Sequence, residues 1–203
     1  MGKIFIVMGK SSTGKDTIYK KLLELEELNL KTAVMYTTRP IRMAEEDGVE
    51  YRFVDEDTLI EFQKQKKIIE HRSYDTIHGT WHYFTVNDGQ IKLEENDYLM
   101  IGTLETYAQI REYFGKDYII PIYIEVEDGI RLFRALKREQ KQEQPKYAEM
   151  CRRYLADEED FSDENLLKNG IIKRYQNTDI NICLYELNED IKNFTVNSGD
   201  GVL

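Results

Sequence analysis

One stretch restricts the fold more than any other: MGKIFIVMGKSSTGKDTIYKKLLELEEL, residues 1–28. Residues 3–8, KIFIVM, form a continuous apolar run. Such a run suits a strand buried on both faces of a parallel sheet. Ile18, Leu22, Leu23, Leu25 and Leu28 then recur with helical periodicity. Between strand and helix lies a loop of Gly9, Lys10, Ser11, Ser12, Thr13, Gly14 and Lys15. It matches G-x-x-x-x-G-K-[ST], except that Asp16 holds the last position. Backbone N–H groups of such a loop and of the helix start surround a polyphosphate, and Lys15 reaches its β and γ phosphates. Asp16 has three readings, which can coexist. It favours the helix N-terminus electrostatically; it binds Mg²⁺ in place of a hydroxyl; or Thr17 supplies that hydroxyl.

Composition narrows the setting. The chain has 203 residues, 41% hydrophobic and 33% charged, which suits one sizeable soluble core. Its apolar runs are too short to span a bilayer. The N-terminal region carries no secretory pattern, so a cytoplasmic protein is expected. Cys151 and Cys183 lie far apart without C-x-x-C spacing and read as reduced thiols. The formal net charge of −10 argues against nucleic-acid binding. An anionic substrate must therefore be held by local positive charge against the global field.

Such charge follows at once. Residues 32–38, TAVMYTT, read as a β-rich stretch, and Arg39-Pro40-Ile41-Arg42 places two arginines three apart. Beside a phosphate loop they form an anion clamp, because guanidinium pairs with phosphate bidentately. A turn at Asp47-Gly48 leads into a short strand over residues 51–54.

At this point the chain resembles the guanylate kinase family. The loop GKSSTGKDT, then TTRPIR, then Glu45 and Tyr51 reproduce that family's arginine–arginine–acid–tyrosine steps. The resemblance covers residues 3 to about 193 and implies a three-layer α/β P-loop kinase fold. Residues 1–38, 86–137 and 157–203 would form the core with a parallel sheet. Residues 39–85 would form a small β-rich domain for the nucleoside monophosphate, and residues 138–156 a lid. Independently, the later elements alternate strand and helix as a parallel α/β fold requires. They read as a helix over 58–66, strands at 68–71, 81–85, 98–101 and 118–124, and a helix from about residue 127.

The resemblance also implies site residues. Arg39, Arg42, Glu45, Tyr51, Glu70, Tyr83, Thr85 and Thr103 would bind GMP. The loop residues through Thr17, with Arg134 and Asn177, would bind ATP. Lys15, Arg39, Arg138 and Arg153 would be catalytic, with Arg152 an alternative to Arg153. Asp16 and Thr17 would meet Mg²⁺ carried with ATP. The implied activity is transfer of the ATP γ-phosphoryl group to GMP by a monomer or homodimer. Another phosphorylated acceptor and a non-catalytic binding module are the competing readings. Three departures from the family stand out: Asp16, the irregular segment before Tyr83, and Ile101 and Thr103 where the family has two acids, the last leaving base preference open. His71, His78 and His82 crowd the same region and read as packing or surface residues.

Overall fold

The structure, a computed structural model, describes residues 1–43, 45–76 and 79–196. Two sheets divide the chain. The larger has five strands: β1 (Ile4–Met8), β2 (Lys31–Thr32), β7 (Tyr98–Ile101), β8 (Ile119–Glu125) and β9 (Tyr175–Gln176). Their order is β2-β7-β1-β8-β9, and all neighbours are parallel. Every β1 side chain is buried, as the unbroken run KIFIVM requires. Alternation sends Ile4, Ile6 and Met8 to one face, where Met100, Tyr107, Ile110 and Phe161 cover them. Phe5 and Val7 face the other side, against Ile18, Leu22, Leu99, Cys183 and Leu187. Two of the covering helices, α1 (Lys15–Leu23) and α3 (Leu104–Phe114), lie on opposite faces, which gives three layers.

The smaller sheet runs β4-β3-β6-β5. It comprises β3 (Tyr36–Thr37), β4 (Arg52–Phe53), β5 (Ile68–Thr76) and β6 (Gly79–Val86). Here β3 pairs with β4 in parallel, and the other pairs are antiparallel. Its own core is Tyr36, Leu59, Phe84 and Val86. Leu59 comes from α2 (Glu56–Lys64), capped by the Asp55 carboxylate, which accepts the Thr58 N–H.

Some elements differ from the sequence expectation. Residues 32–38 are not one strand: β2 and β3 belong to different sheets. The chain crosses between them at residues 33–35, where Val34 satisfies its N–H and C=O on the Gln90 side chain instead of a ladder. The strand expected over 51–54 is only Arg52–Phe53. Helix α2 starts two residues before the expected 58 because Asp55 supplies the cap. The expected lid segment, residues 138–156, is helical except at residues 141–146. In it, α4 (Asp128–Gln140) continues to a buried Glu139, and α5 (Tyr147–Asp160) passes beyond residue 156. Helices α6 (Asp163–Lys168) and α7 (Ile180–Val196) complete the chain. No helix among the described residues is long and apolar enough to cross a membrane. His78 lies outside the described residues.

Candidate active site

The loop between β1 and α1 needs glycine at two places. Gly14 caps α1 at φ 88°, a left-handed conformation. A Cβ there would stand 2.5 Å from the Asn177 Nδ2, and one on Gly9 would stand 2.5 Å from the Ile124 carbonyl oxygen. Asn177 is buried and donates Nδ2–H to the Thr13 carbonyl at 2.7 Å. Arg134 in turn donates to the Asn177 carbonyl at 3.1 Å. These two expected ATP residues therefore brace the loop from beneath. Inside it, Thr13 donates its hydroxyl to the Lys10 carbonyl, and the buried Ser12 hydroxyl has no hydrogen-bond partner among the described residues.

Carboxylates of α5 already meet this loop. Asp157 accepts the Ser11 backbone N–H at 2.7 Å, and Glu158 accepts from Lys10 Nζ at 2.7 Å. Both acids converge on Arg131, a fully buried guanidinium on α4 that also pairs with Asp128 and lies over the Tyr154 ring. An anion thus sits on a loop amide suited to phosphate oxygen. The expected lid arginines are close by. Arg138 and Arg153 line a narrow gap of about 10 Å³ with Ser11 and Tyr154. Arg152 instead turns away, exposed and held by Glu149 through two 2.8 Å bonds.

On the other side of the loop, a cavity of 310 Å³ separates the two sheets. Lys15 and Asp16 enter it from α1, Tyr51, Arg72, Tyr74 and Tyr83 from the smaller sheet and its approach, and Ile101 and Thr103 from the end of β7. Tyr83 packs edge-on against both Tyr51 and Tyr74. Thr103 caps α3 by accepting the Thr106 N–H. The other expected acceptor residues lie further out or behind. Arg39 is 3% exposed and makes a two-pronged pair with Glu45, both distances 2.8 Å, beside the Tyr51 and Phe53 rings. The hydrogen bonds from Arg39, with the Arg42 N–H adding another, hold the Glu45 carboxyl at about 2, against a usual 4.5. The Arg42 side chain itself is exposed. Glu70 and Thr85 are buried behind the wall, bonded to each other.

His71 and His82 stack and share a 2.8 Å hydrogen bond. Burial, with His82 beside it, lowers the His71 pKa. Glu70, Arg72 and Tyr74 occupy alternate positions of β5, so His71 projects to the opposite face from the cavity wall. A Mg²⁺ ion borne on phosphates needs only one or two carboxylates from the protein. Asp16, 76% exposed at the loop's end and beside the cavity, suits that role with Thr17 next to it. Among the described residues no three His, Cys, Asp or Glu side chains cluster as a self-contained metal site.

Four residues of this region escape motif spacing. Arg72 had a signal, since it stands two positions after Glu70 on a strand and must share its face. Arg131, Asp157 and Glu158 had none, because their grouping depends on how α4 and α5 cross.

Comparison with known proteins places this arrangement. The family model described as guanylate kinase matches residues 1–169. Guanylate kinase of Syntrophomonas wolfei is 32% identical over 124 residues, 60% of this chain and 61% of the relative. That of Legionella pneumophila strain Lens is 39% identical over 70 residues, 34% of this chain and 33% of the relative. The chain thus spans between a third and about three fifths of the length of these relatives. The crystal structure of guanylate kinase from Anaplasma phagocytophilum superimposes with a TM-score of 0.64 at 19% identity, over 96% of this chain and 86% of that one, which shows a shared fold. With the family model covering most of its length, and with the loop, the two sheets and the cavity between them in place, the chain belongs to the guanylate kinase family.

Proposed function

We propose that this chain is a nucleoside monophosphate kinase that transfers the γ-phosphoryl group of ATP to GMP. One observation carries the reading: Lys15 of the phosphate loop and the Tyr51–Tyr83 platform of the smaller sheet line the same cavity. An acceptor on that platform has its phosphate directed toward the loop lysine. Residues 39–85 would hold the acceptor, residues 138–156 would act as the lid, and the rest would hold ATP. The two free thiols, Cys151 and Cys183, support a reducing, cytoplasmic setting.

The chemistry asks for position and charge more than covalent help. A phosphate oxygen of the acceptor attacks the γ-phosphorus as the bond to the β-bridging oxygen breaks. The attacking oxygen is already anionic, so no general base is needed. Loop N–H groups and Lys15 hold the donor phosphates. Arg138 and Arg153, already beside Ser11, neutralise charge on the transferring group. Exposed Arg42 is free to swing onto the acceptor phosphate, while Arg39, fixed by Glu45, keeps Tyr51 in place. Mg²⁺ held by Asp16 and Thr17 would add charge neutralisation on the β and γ phosphates. Asp157 must leave the Ser11 amide before a phosphate takes it.

A coupled ADP-release assay with Mg²⁺ and GMP, dGMP, AMP, UMP and CMP as acceptors tests the proposal. GMP should support the fastest turnover. Turnover with none of them, at saturating ATP, would defeat it.

A further inference from the structure

The wall of the acceptor cavity formed by β5 and β6 presents a guanidinium where a carboxylate would be expected to read a base. Alternation along β5 puts Glu70, Arg72 and Tyr74 on one face, and register sets them opposite Thr85, Tyr83 and Trp81 of β6. Glu70 is 0% exposed. One carboxylate oxygen accepts the Thr85 hydroxyl at 3.0 Å, and the other accepts the Arg72 Nε–H at 3.1 Å. Glu70 is not among the residues lining the cavity, whereas Arg72, 9% exposed, is. Arg72 also reaches across to the Met35 sulfur at 3.8 Å, so its guanidinium spans the wall in front of the acid. Burial pulls the Arg72 pKa down, but Glu70 and Tyr74 together, by charge and hydrogen bonding, more than restore it, and the group stays cationic.

Guanidinium is a donor only, with N–H groups in a fixed fork. It cannot read the N1–H or the C2 amino group of guanine, which are donors. It matches two adjacent acceptors, and on a purine these are O6 and N7. Adenine offers N7 beside an N6 amino donor, which leaves one prong of the fork facing another donor. Resting on the kinase reading above, we propose that Arg72 determines base specificity by pairing with the O6/N7 edge of a 6-oxopurine. Glu70 is then a positioning residue that holds Arg72 and does not touch the base. The substrate class follows: 6-oxopurine nucleoside monophosphates, with or without the C2 amino group.

The experiment compares GMP, IMP and AMP by initial rates and by calorimetric binding. It uses the wild-type chain, Arg72→Lys, and the neutral pair Glu70→Gln/Arg72→Gln, which leaves no buried charge unpartnered. Wild type should use GMP and IMP with kcat/KM within about threefold, because the two share the edge that Arg72 reads. It should favour both over AMP by roughly 5- to 150-fold, the range of one bidentate base contact. Arg72→Lys keeps the charge and loses the fork, so it should lose most of that preference with the KM for ATP unchanged. The double variant should behave alike. A GMP preference over IMP of about tenfold or more would overturn the proposal, since it demands a reader for the C2 amino group. Full discrimination against AMP in Arg72→Lys would overturn it too, whether or not the double variant folds. If no nucleotide turns over while ATP binds, the kinase reading fails instead, and the GMP, IMP and AMP affinities still decide the role of Arg72.

Discussion

Arg39 and Arg42 stand three positions apart, but the structure gives them different work. Both prongs of Arg39 are spent on Glu45 in a buried setting. Removing one partner of such a pair strands the other's charge. Arg39→Ala should therefore cost about 3 kcal/mol of stability, measured by urea denaturation. Arg42→Ala should cost under roughly 0.5 kcal/mol, as exposed positions do, while weakening acceptor binding by about 1.5–3 kcal/mol. Equal losses of stability in the two variants would contradict this division. The same pair gives a pH signature. The Glu45 carboxyl sits at about 2 in the folded chain, below its ordinary 4.5. A depressed carboxylate stabilises the fold above its unfolded value and loses that contribution as pH falls through the folded one. Wild type should exceed Glu45→Gln by a constant margin above pH 4.5, and the margin should close between 4.5 and about 2. A margin that persists at pH 2 would show that the charge is not its source.

At the scale of elements, α5 crosses the phosphate loop and fills part of it. Asp157 offers the Ser11 amide a charged oxygen, as a phosphate would, and its charge also repels ATP. Asp157→Asn should tighten ATP binding by about 1–2 kcal/mol in calorimetry. Weaker binding would mean that Asp157 supports the loop more than it competes for it. This contact also marks where sequence reading stops. The strand, the glycine loop and α1 were readable because chemistry and spacing are local: KIFIVM, then Gly9, Gly14 and Lys15. Tyr51 and Tyr83 were readable through the resemblance. The α5 carboxylates were not, since nothing in residues 157–158 points to residues 10–11 until two helices are packed. The split of residues 32–38 between sheets was hidden for a similar reason, because Val34 is satisfied by Gln90, distant in sequence.

Across the whole molecule, the two sheets keep largely separate cores, meeting where Ile69 of β5 joins the cluster under α3. The small one rests on Tyr36, Leu59, Phe84 and Val86, while the parallel sheet has a cluster on each face. A defect in the small core should therefore stay local. Phe84→Ala should cost about 3–5 kcal/mol at its own site. In hydrogen exchange it should strip protection from β3 through β6 and leave β1, β7 and β8 largely protected. Uniform loss across both sheets would show that they open as one unit.

The Asn177 bond to the Thr13 carbonyl spans 164 positions of chain. Synthesis runs from the N-terminus, so the loop emerges from the ribosome well before its brace. A nascent chain that displays Lys15 but not yet residue 177 carries the complete loop sequence in an unset shape. ATP capture should then switch on only after residue 177 has emerged and folded back onto the loop. Ribosome-bound chains arrested at residues 150 and 196, with a spacer to clear the exit tunnel, make the check. Only the longer should retain a fluorescent ATP analogue, and retention by the shorter would show that the loop sets itself.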